Sequence, residues 1–382
     1  MSDLLEGIRV VESATLFNGD TLGTILGDLG ADVIKVESPF QGDYLRWFLG
    51  QITPGNSPAH VQVNKNKRSV AIDLRTPEGL DVFWKLLDTA DVFVDGNASD
   101  ACAKLGIGYE HQRLRKPDII YCQYSGFGSE GPYAAIPTHG QMMNALAGAL
   151  LQPADAPMGG TASGGEGTAA GAVHAALHVS AALTYRHRTG EGCFIDVAGV
   201  DGVIAQSWIA STYALNDDRI TDRSSLPGGA MGAKYAHYET KDGFGVLFCC
   251  IEPKFWANFC RAVERDDLIE SHREGAVDFG DPTDDLGAEI QRIIGARDLA
   301  DWMVLAAERD IPMGPSYRGL AEAVDDAHLR TRGVIHEQDH PTLGRFTYIG
   351  EAGKVAGQPY RVRYPAPALG EHTDEILKEL GA

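Results

Sequence analysis

The sequence predicts an α/β chain with a large parallel-sheet domain and a smaller α/β domain. Three observations carry this. The chain opens as strand, helix, strand; the alternation repeats through the N-terminal half; and 382 residues are too many for one small core. In the opening unit, Gly7-Ile8-Arg9-Val10-Val11-Glu12 is a short run rich in β-branched residues. Leu22, Ile25, Leu26 and Leu29 then recur at helical spacing, Gly30 suits a helix end, and Asp32–Val36 forms the next strand. Such a βαβ unit implies a parallel sheet covered by helices.

The pattern continues with Ser69–Leu74 as a strand and a helix from Pro77, with Leu80, Phe83, Trp84 and Leu87 on one side. Asp91–Val94 and Asp118–Cys122 read as further buried strands. From Gly140 to Leu183 the texture turns to small residues, predicting two long Ala/Gly-rich helices interrupted at Gly159-Gly160 and Gly164-Gly165. His174, Leu177, Ala181 and Thr184 fall near one face of the second. A second block starts near Gly228: Lys234–Thr240 and Phe244–Phe248 flank the turn Lys241-Asp242-Gly243 as a hairpin, and helices rich in Trp, Phe and Leu follow. Phe346–Ile349 is strand-like, and Glu371–Leu380 closes the chain as a helix.

Composition narrows the function. There are 33 Lys+Arg against 53 Asp+Glu, a net charge of −20, which disfavours nucleic acid and anionic lipid as partners. No apolar run is long enough for a membrane span, and the N-terminus lacks the basic-then-apolar pattern of a signal peptide. The six cysteines are scattered without metal-ligand spacing, so no metal is expected and the thiols read as reduced, in a cytoplasmic protein. The stretch after the first strand, Thr15–Gly23, carries no GxGxxG, and no GxxxxGK[ST] loop occurs in the chain, which argues against a dinucleotide or ATP enzyme. The densest cationic stretch is Asn64-Lys65-Asn66-Lys67-Arg68, read as a loop just before a strand. It could hold phosphates, although composition alone favours a solvated loop.

At this point several blocks resemble one family. Gly30–Glu37 with Gly42-Asp43, Asn64–Ser69 with Asp73-Leu74 and Pro77–Gly79, and Ser125–Gly128 with Gly131–Tyr133 are similar to the family III CoA-transferases. Arg186–Gly192 with Ile195–Val197, Gly314-Pro315 and Leu369–Leu377 extend the likeness along the whole chain. The resemblance implies coenzyme A as part of an acyl-CoA substrate, a carboxylic acid acceptor, and a Rossmann-like large domain. It also implies a homodimer of two interlocked rings. Residues 1–225 would form the large domain, 226–320 the small one, and 321–382 a return segment completing the large domain. By the same resemblance Lys67 and Arg68 would hold CoA phosphates, and Asn97 and Lys104 match a CoA-contacting segment. Lys104 stands for a more usual arginine, keeping the charge without the bidentate fork.

The family's transfer chemistry uses an aspartate at the start of the small-residue helix. Ungapped counting back from Thr189-Gly190 puts Thr168 there, which cannot form an anhydride. The nearest acid is Glu166, either a shifted nucleophile or simply a carboxylate at a helix start. His139 keeps the place of a histidine found in racemase-type relatives, while Gly140 replaces an acid beside it. Glu252, before Pro253, resembles a racemase glutamate that approaches from the small domain, or is again a helix-start acid. Pro227-Gly228-Gly229-Ala230 lacks the long tetraglycine loop of formyl-CoA transferases. Expected function is therefore CoA transfer between carboxylates. The rivals are α-proton chemistry on a 2-methylacyl-CoA with His139 and Glu166 as bases, and a silent acyl-CoA-binding paralogue. Met142, Met143, Trp208 and Tyr213 are candidate acyl-pocket walls.

Overall fold

A computed structural model of the chain describes residues 2–97, 100–149, 166–221, 232–275, 277–280 and 285–381. The chain divides into two compact units, Met1–Leu215 with Arg330–Ala382, and Asn216–Leu329.

The first unit begins with β1 (Arg9–Ser13), α1 (Asn18–Asp28), β2 (Asp32–Glu37), α2 (Pro58–Val63), β3 (Lys67–Ala71), α3 (Pro77–Asp88) and β4 (Val92–Asp95). It continues with α4 (Ala101–Lys104), α5 (Tyr109–Arg115), β5 (Ile120–Ser125), α6 (Gly140–Leu146), α7 (Glu166–Thr189), β6 (Cys193–Ala198), α8 (Gly199–Gln206) and α9 (Trp208–Leu215). Six parallel strands pair in the order β3-β2-β1-β4-β5-β6. Chain progression therefore reverses direction between β1 and β4, the place where an open α/β sheet opens a crevice beyond its strand ends.

Strand alternation sends side chains to two separate cores. Val10, Val33, Val92 and Ile120 pack with Leu22 and Leu26 of α1 and the alanines of α7. Val11, Ile34, Val70 and Phe93 pack with Phe83 and Leu87 of α3 and with Ile376. The small side chains of Ala172, Ala175, Ala176 and Ala182 let α7 lie close to the sheet. Its other face, with Val173 and Leu177, is exposed. Leu177 and Ala181 stand on this outer face, as the helical spacing grouped them.

The second unit has β7 (Tyr235–Glu239), β8 (Gly245–Cys249), α10 (Pro253–Ala262), α11 (Leu286–Ile294), α12 (Leu299–Arg309), β9 (Met313–Ser316) and α13 (Leu320–Ala323). Its sheet is antiparallel, β7-β8-β9, and the hairpin turns at Gly243 with φ +80°. Trp256, Phe259, Trp302 and Phe248 form its core. After α14 (Ala327–Arg332), the first unit is completed by the antiparallel hairpin β10 (Ile335–His340) and β11 (Gly344–Ile349) and by α15 (Thr373–Glu379).

Three details differ from the sequence reading. β3 starts at Lys67 rather than Ser69, so the cationic pair belongs to the strand and not to a preceding loop. The first Gly/Ala-rich helix, α6, has only 7 residues. β6, β9 and β10 were not read, because β9 has only 4 residues and none of the three shows a clean apolar–polar alternation. Gly159-Gly160, Gly164-Gly165 and Pro227–Ala230 lie outside the described residues.

Candidate active site

A crevice of about 310 Å³ opens at the β1/β4 reversal. Ser13, Ala14 and Thr15 line it after β1, Ser38, Gly42 and Asp43 after β2, Ile72 to Arg75 after β3, and Asn97 after β4. The loops that form it touch backbone to backbone: a Cβ on Gly96 would come 2.9 Å from Gly19 Cα and 2.6 Å from Ala14 Cβ. Only glycine permits that approach. A larger cavity of about 510 Å³ lies elsewhere, between Ser2, Arg332–Gly333, His336 and Glu351–Tyr360. The switch-point crevice is the better ligand site, since strand ends and helix starts converge there.

Asn97 is held for this position. Its amide Nδ2 donates to Ser13 O at 2.9 Å and to Asp95 Oδ1 at 3.0 Å, and Tyr121 donates to Asp95 Oδ2 at 2.6 Å. Lys104 ends α4 with its ammonium exposed and paired to Asp100 at 2.7 Å; the next residue in the chain, Leu105, lines the crevice. Arg75 is also exposed, paired to Asp73 through Nε at 2.8 Å and lying over the Phe40 ring. Its hydrogen bond holds the Asp73 carboxyl below the usual carboxylate range. Thr15, Ser38 and Arg75 were not singled out from the sequence. The rule that ligands sit beyond the carboxyl ends of parallel strands would have found them.

Lys67 and Arg68 are elsewhere. Lys67 is fully buried, and its Nζ contacts Glu12 Oε2 at 2.8 Å, Asp20 O at 2.9 Å and Asn64 Oδ1 at 3.1 Å. Burial pulls its pKa below the ordinary lysine value despite Glu12 and Asp20. Arg68 points to the opposite face, where it meets Asp32 Oδ2 at 2.7 Å, Glu375 at 2.9 Å and Glu379 at 2.7 Å. Lys65 pairs with Asp28 at 2.9 Å. The expectation that Lys67 and Arg68 converge on phosphates is corrected by strand geometry: neighbours on a strand face opposite sides, and these cations are saturated by internal carboxylates.

A second polar group gathers where α7 starts. Thr168 is buried, its Oγ1 donating to Asn18 Oδ1 at 3.4 Å. Asn144 of α6 caps α7 by accepting Gly167 N–H at 2.9 Å, and Tyr124 OH donates to Thr168 O at 2.7 Å. A Cβ on Gly140 would lie 3.3 Å from Thr168 Oγ1, so an acid at position 140 would face position 168. His139 is exposed at the N-cap of α6. Glu166 is the first residue of α7, and its side chain lies outside the described part. Glu252 is the N-cap residue of α10 in the second unit, where no side-chain capping bond forms. Of the candidate pocket walls, Met143 is buried against Gly167 and Gly199, whereas Trp208 and Tyr213 stand exposed on α9. Among the described residues, no cluster of three or more His, Cys, Asp or Glu is arranged for a metal, and no helix is long and apolar enough to cross a membrane.

The β1–α1 loop joins the two places: Ala14 and Thr15 line the crevice, and Asn18 touches Thr168. A ligand lying along that loop would pass from exposed cations to the start of α7.

A profile described as CoA-transferase family III matches residues 5–373. Succinyl-CoA:glutarate CoA-transferase of Mus musculus is 29% identical, covering 98% of this chain and 86% of its own. Formyl-CoA:oxalate CoA-transferase of Rhodopseudomonas palustris is 29% identical, covering 100% and 94%. The crystal structure of a CAIB/BAIF family protein from Brucella suis superposes with a TM-score of 0.76 at 25% identity, covering 100% of both chains.

Proposed function

The chain belongs to CoA-transferase family III, and from that membership we propose that it moves CoA between an acyl-CoA and a carboxylic acid using the crevice and the α7 start together. The observation that carries this reading is the β1–α1 loop running from one to the other. CoA occupies the crevice, with Asn97 contacting it and the exposed charges of Arg75 and Lys104 facing its phosphates. The thioester extends along the loop toward Thr168.

Thr168 has no carboxylate, so the nucleophile is assigned to Glu166, two residues earlier on the same helix start. The carboxylate attacks the thioester carbonyl and expels CoA thiolate, leaving a mixed anhydride. The thiolate then attacks the enzyme carbonyl of that anhydride, releasing the first acid and leaving a glutamyl-CoA thioester. The acceptor carboxylate repeats the two steps in reverse. No net proton is consumed. His139, the neighbour in sequence of Gly140, which faces Thr168, is assigned to orient the acceptor carboxylate.

The relatives named above take dicarboxylic acids, so succinyl-CoA with glutarate or oxalate is the first pair to assay. CoA appearing on the acceptor in proportion to enzyme supports the reading. Free CoA released by hydrolysis alone, with no acceptor thioester, would refute it. Exchange of solvent deuterium into an acyl-CoA without acceptor would favour α-proton chemistry instead.

The active form is proposed to be a homodimer. The support is apolar surface on α7 to α9: Leu177, Ile204, Trp208 (64% exposed), Ile209 and Leu215 (77% exposed) would otherwise face water.

A further inference from the structure

Beneath the crevice lies a buried group of charges that reaches its wall at Asp43. Lys35 of β2 is fully buried and central to it. Its Nζ meets Glu12 at 3.1 Å, Ala14 O at 3.0 Å, Asp43 Oδ2 at 3.0 Å, and Asp20. Burial works against this charge, but Asp20, Glu12, Asp43 and Glu37 outweigh it and hold the pKa well above the ordinary lysine value.

Asp43 faces outward from this group onto the β1–α1 loop. Its carboxylate accepts Leu16 N–H at 3.1 Å and 3.2 Å and Leu45 N–H at 2.9 Å. Leu16 has φ +65°, the left-handed region that a non-glycine residue enters only when held there. Two points of one short loop, the carbonyl of Ala14 and the amide of Leu16, are thus pinned by the two halves of a single ion pair. Between them is Thr15, in the crevice wall, and two residues beyond is Asn18, against Thr168.

We propose that the Lys35–Asp43 pair is a positioning device, which fixes the left-handed turn at Leu16 and so aligns the CoA crevice with the start of α7. The proposal rests on the crevice being the CoA site. Asp43 is a positioning residue here and not a catalytic one, because its oxygens are turned to Lys35 and to backbone amides.

The test is CoA titration of the full-length protein, with steady-state kinetics alongside. Asp43→Asn keeps an acceptor for the amides but removes the charge facing Lys35, and should weaken CoA by about tenfold while leaving the acceptor KM unchanged. Adding Leu16→Gly to that variant should recover CoA affinity, since glycine adopts positive φ without a pin. Leu16→Val, which leaves every buried charge in place, should weaken CoA in the same direction, because a β-branched residue resists that conformation. This variant answers the question should Asp43→Asn fail to fold. Arg75→Ala is the control for the site itself. If Arg75→Ala weakens CoA and Leu16→Val does not, the positioning role is wrong while the crevice stands. If neither changes CoA affinity, the crevice assignment falls and the positioning role with it. Loss of affinity in Asp43→Asn without rescue by Leu16→Gly would also overturn the proposal.

Discussion

Two sets of cations flank the same strand, and they do opposite things. Lys67 and Arg68 begin β3 and are turned inward, one to each face of the sheet, each closed off by carboxylates. Arg75 follows the carboxyl end of β3, exposed at the crevice mouth. The first set is dense in the sequence and invisible to a ligand; the second is a single arginine and accessible. Charge density along a chain therefore reports a binding site only after the element is known, because a strand separates neighbours that a loop would gather.

The largest expected effect concerns the α7 start rather than either cation set. Glu166→Gln should lower turnover by about a thousandfold or more with CoA affinity retained, as expected for a lost nucleophile. Adding Thr168→Asp to that variant should restore part of the activity, since position 168 lies against Asn18 and Gly140. Turnover assays paired with CoA titration check both.

The cation comparison itself is sharpened by two substitutions with opposite readouts. Lys67→Met should destabilise the fold by about 3–5 kcal/mol in urea unfolding, because Glu12 loses a buried partner. The folded fraction should bind CoA normally. Arg75→Ala should leave unfolding unchanged, being exposed, and raise the acyl-CoA KM by about tenfold. If Lys67→Met impaired CoA binding with full stability, the distinction between the two sets would collapse.

Effects spread over several pH units follow from buried titrating groups in the same unit. Burial and the nearby Arg46 charge hold His60 down to about 3 against 6.5. The unfolded chain takes up that proton first, so acidification from pH 6.5 toward 3 should cost stability by at most about 1.4 kcal/mol per pH unit from this group. Glu351, beside the second cavity, has its carboxyl pushed up by burial and Asp28 to about 7 from 4.5. Here the folded state keeps the proton longer, so stability should fall as pH rises between 4.5 and 7. Glu351→Gln should flatten that slope in thermal melts. Last, Leu177→Asp with Trp208→Asp should shift sedimentation toward the monomer if α7 to α9 form a subunit contact.

Much of the fold was legible because buried parallel strands and amphipathic helices carry their own periods. The segments around Val10, Leu22, Ile34 and Phe83 behave as their spacing required. β6 was not legible, since Phe194 and Ile195 are adjacent apolar residues with no period-2 pattern, and only Val197 and Ala198 at its end are buried. The sequence also indicated two residues that the structure brings to the proposed site. Asn97 falls in the crevice wall, and Lys104 ends the helix beside it. The crevice itself was not, because it depends on strand order: nothing local in Thr15, Ser38 or Arg75 announces that β1 and β4 are neighbours. The Asp43 contact to Leu16 was hidden for the same reason, lying 27 residues apart in sequence.

In the proposed mechanism a carboxylate on the first turn of α7 carries CoA during transfer. Incubating the protein with succinyl-CoA, quenching with hydroxylamine and mapping the product by peptide mass spectrometry tests it directly. A hydroxamate on Glu166 is expected, formed only when acyl-CoA is supplied and absent from Glu166→Gln. A protein that transfers CoA with Glu166 unmodified would contradict it.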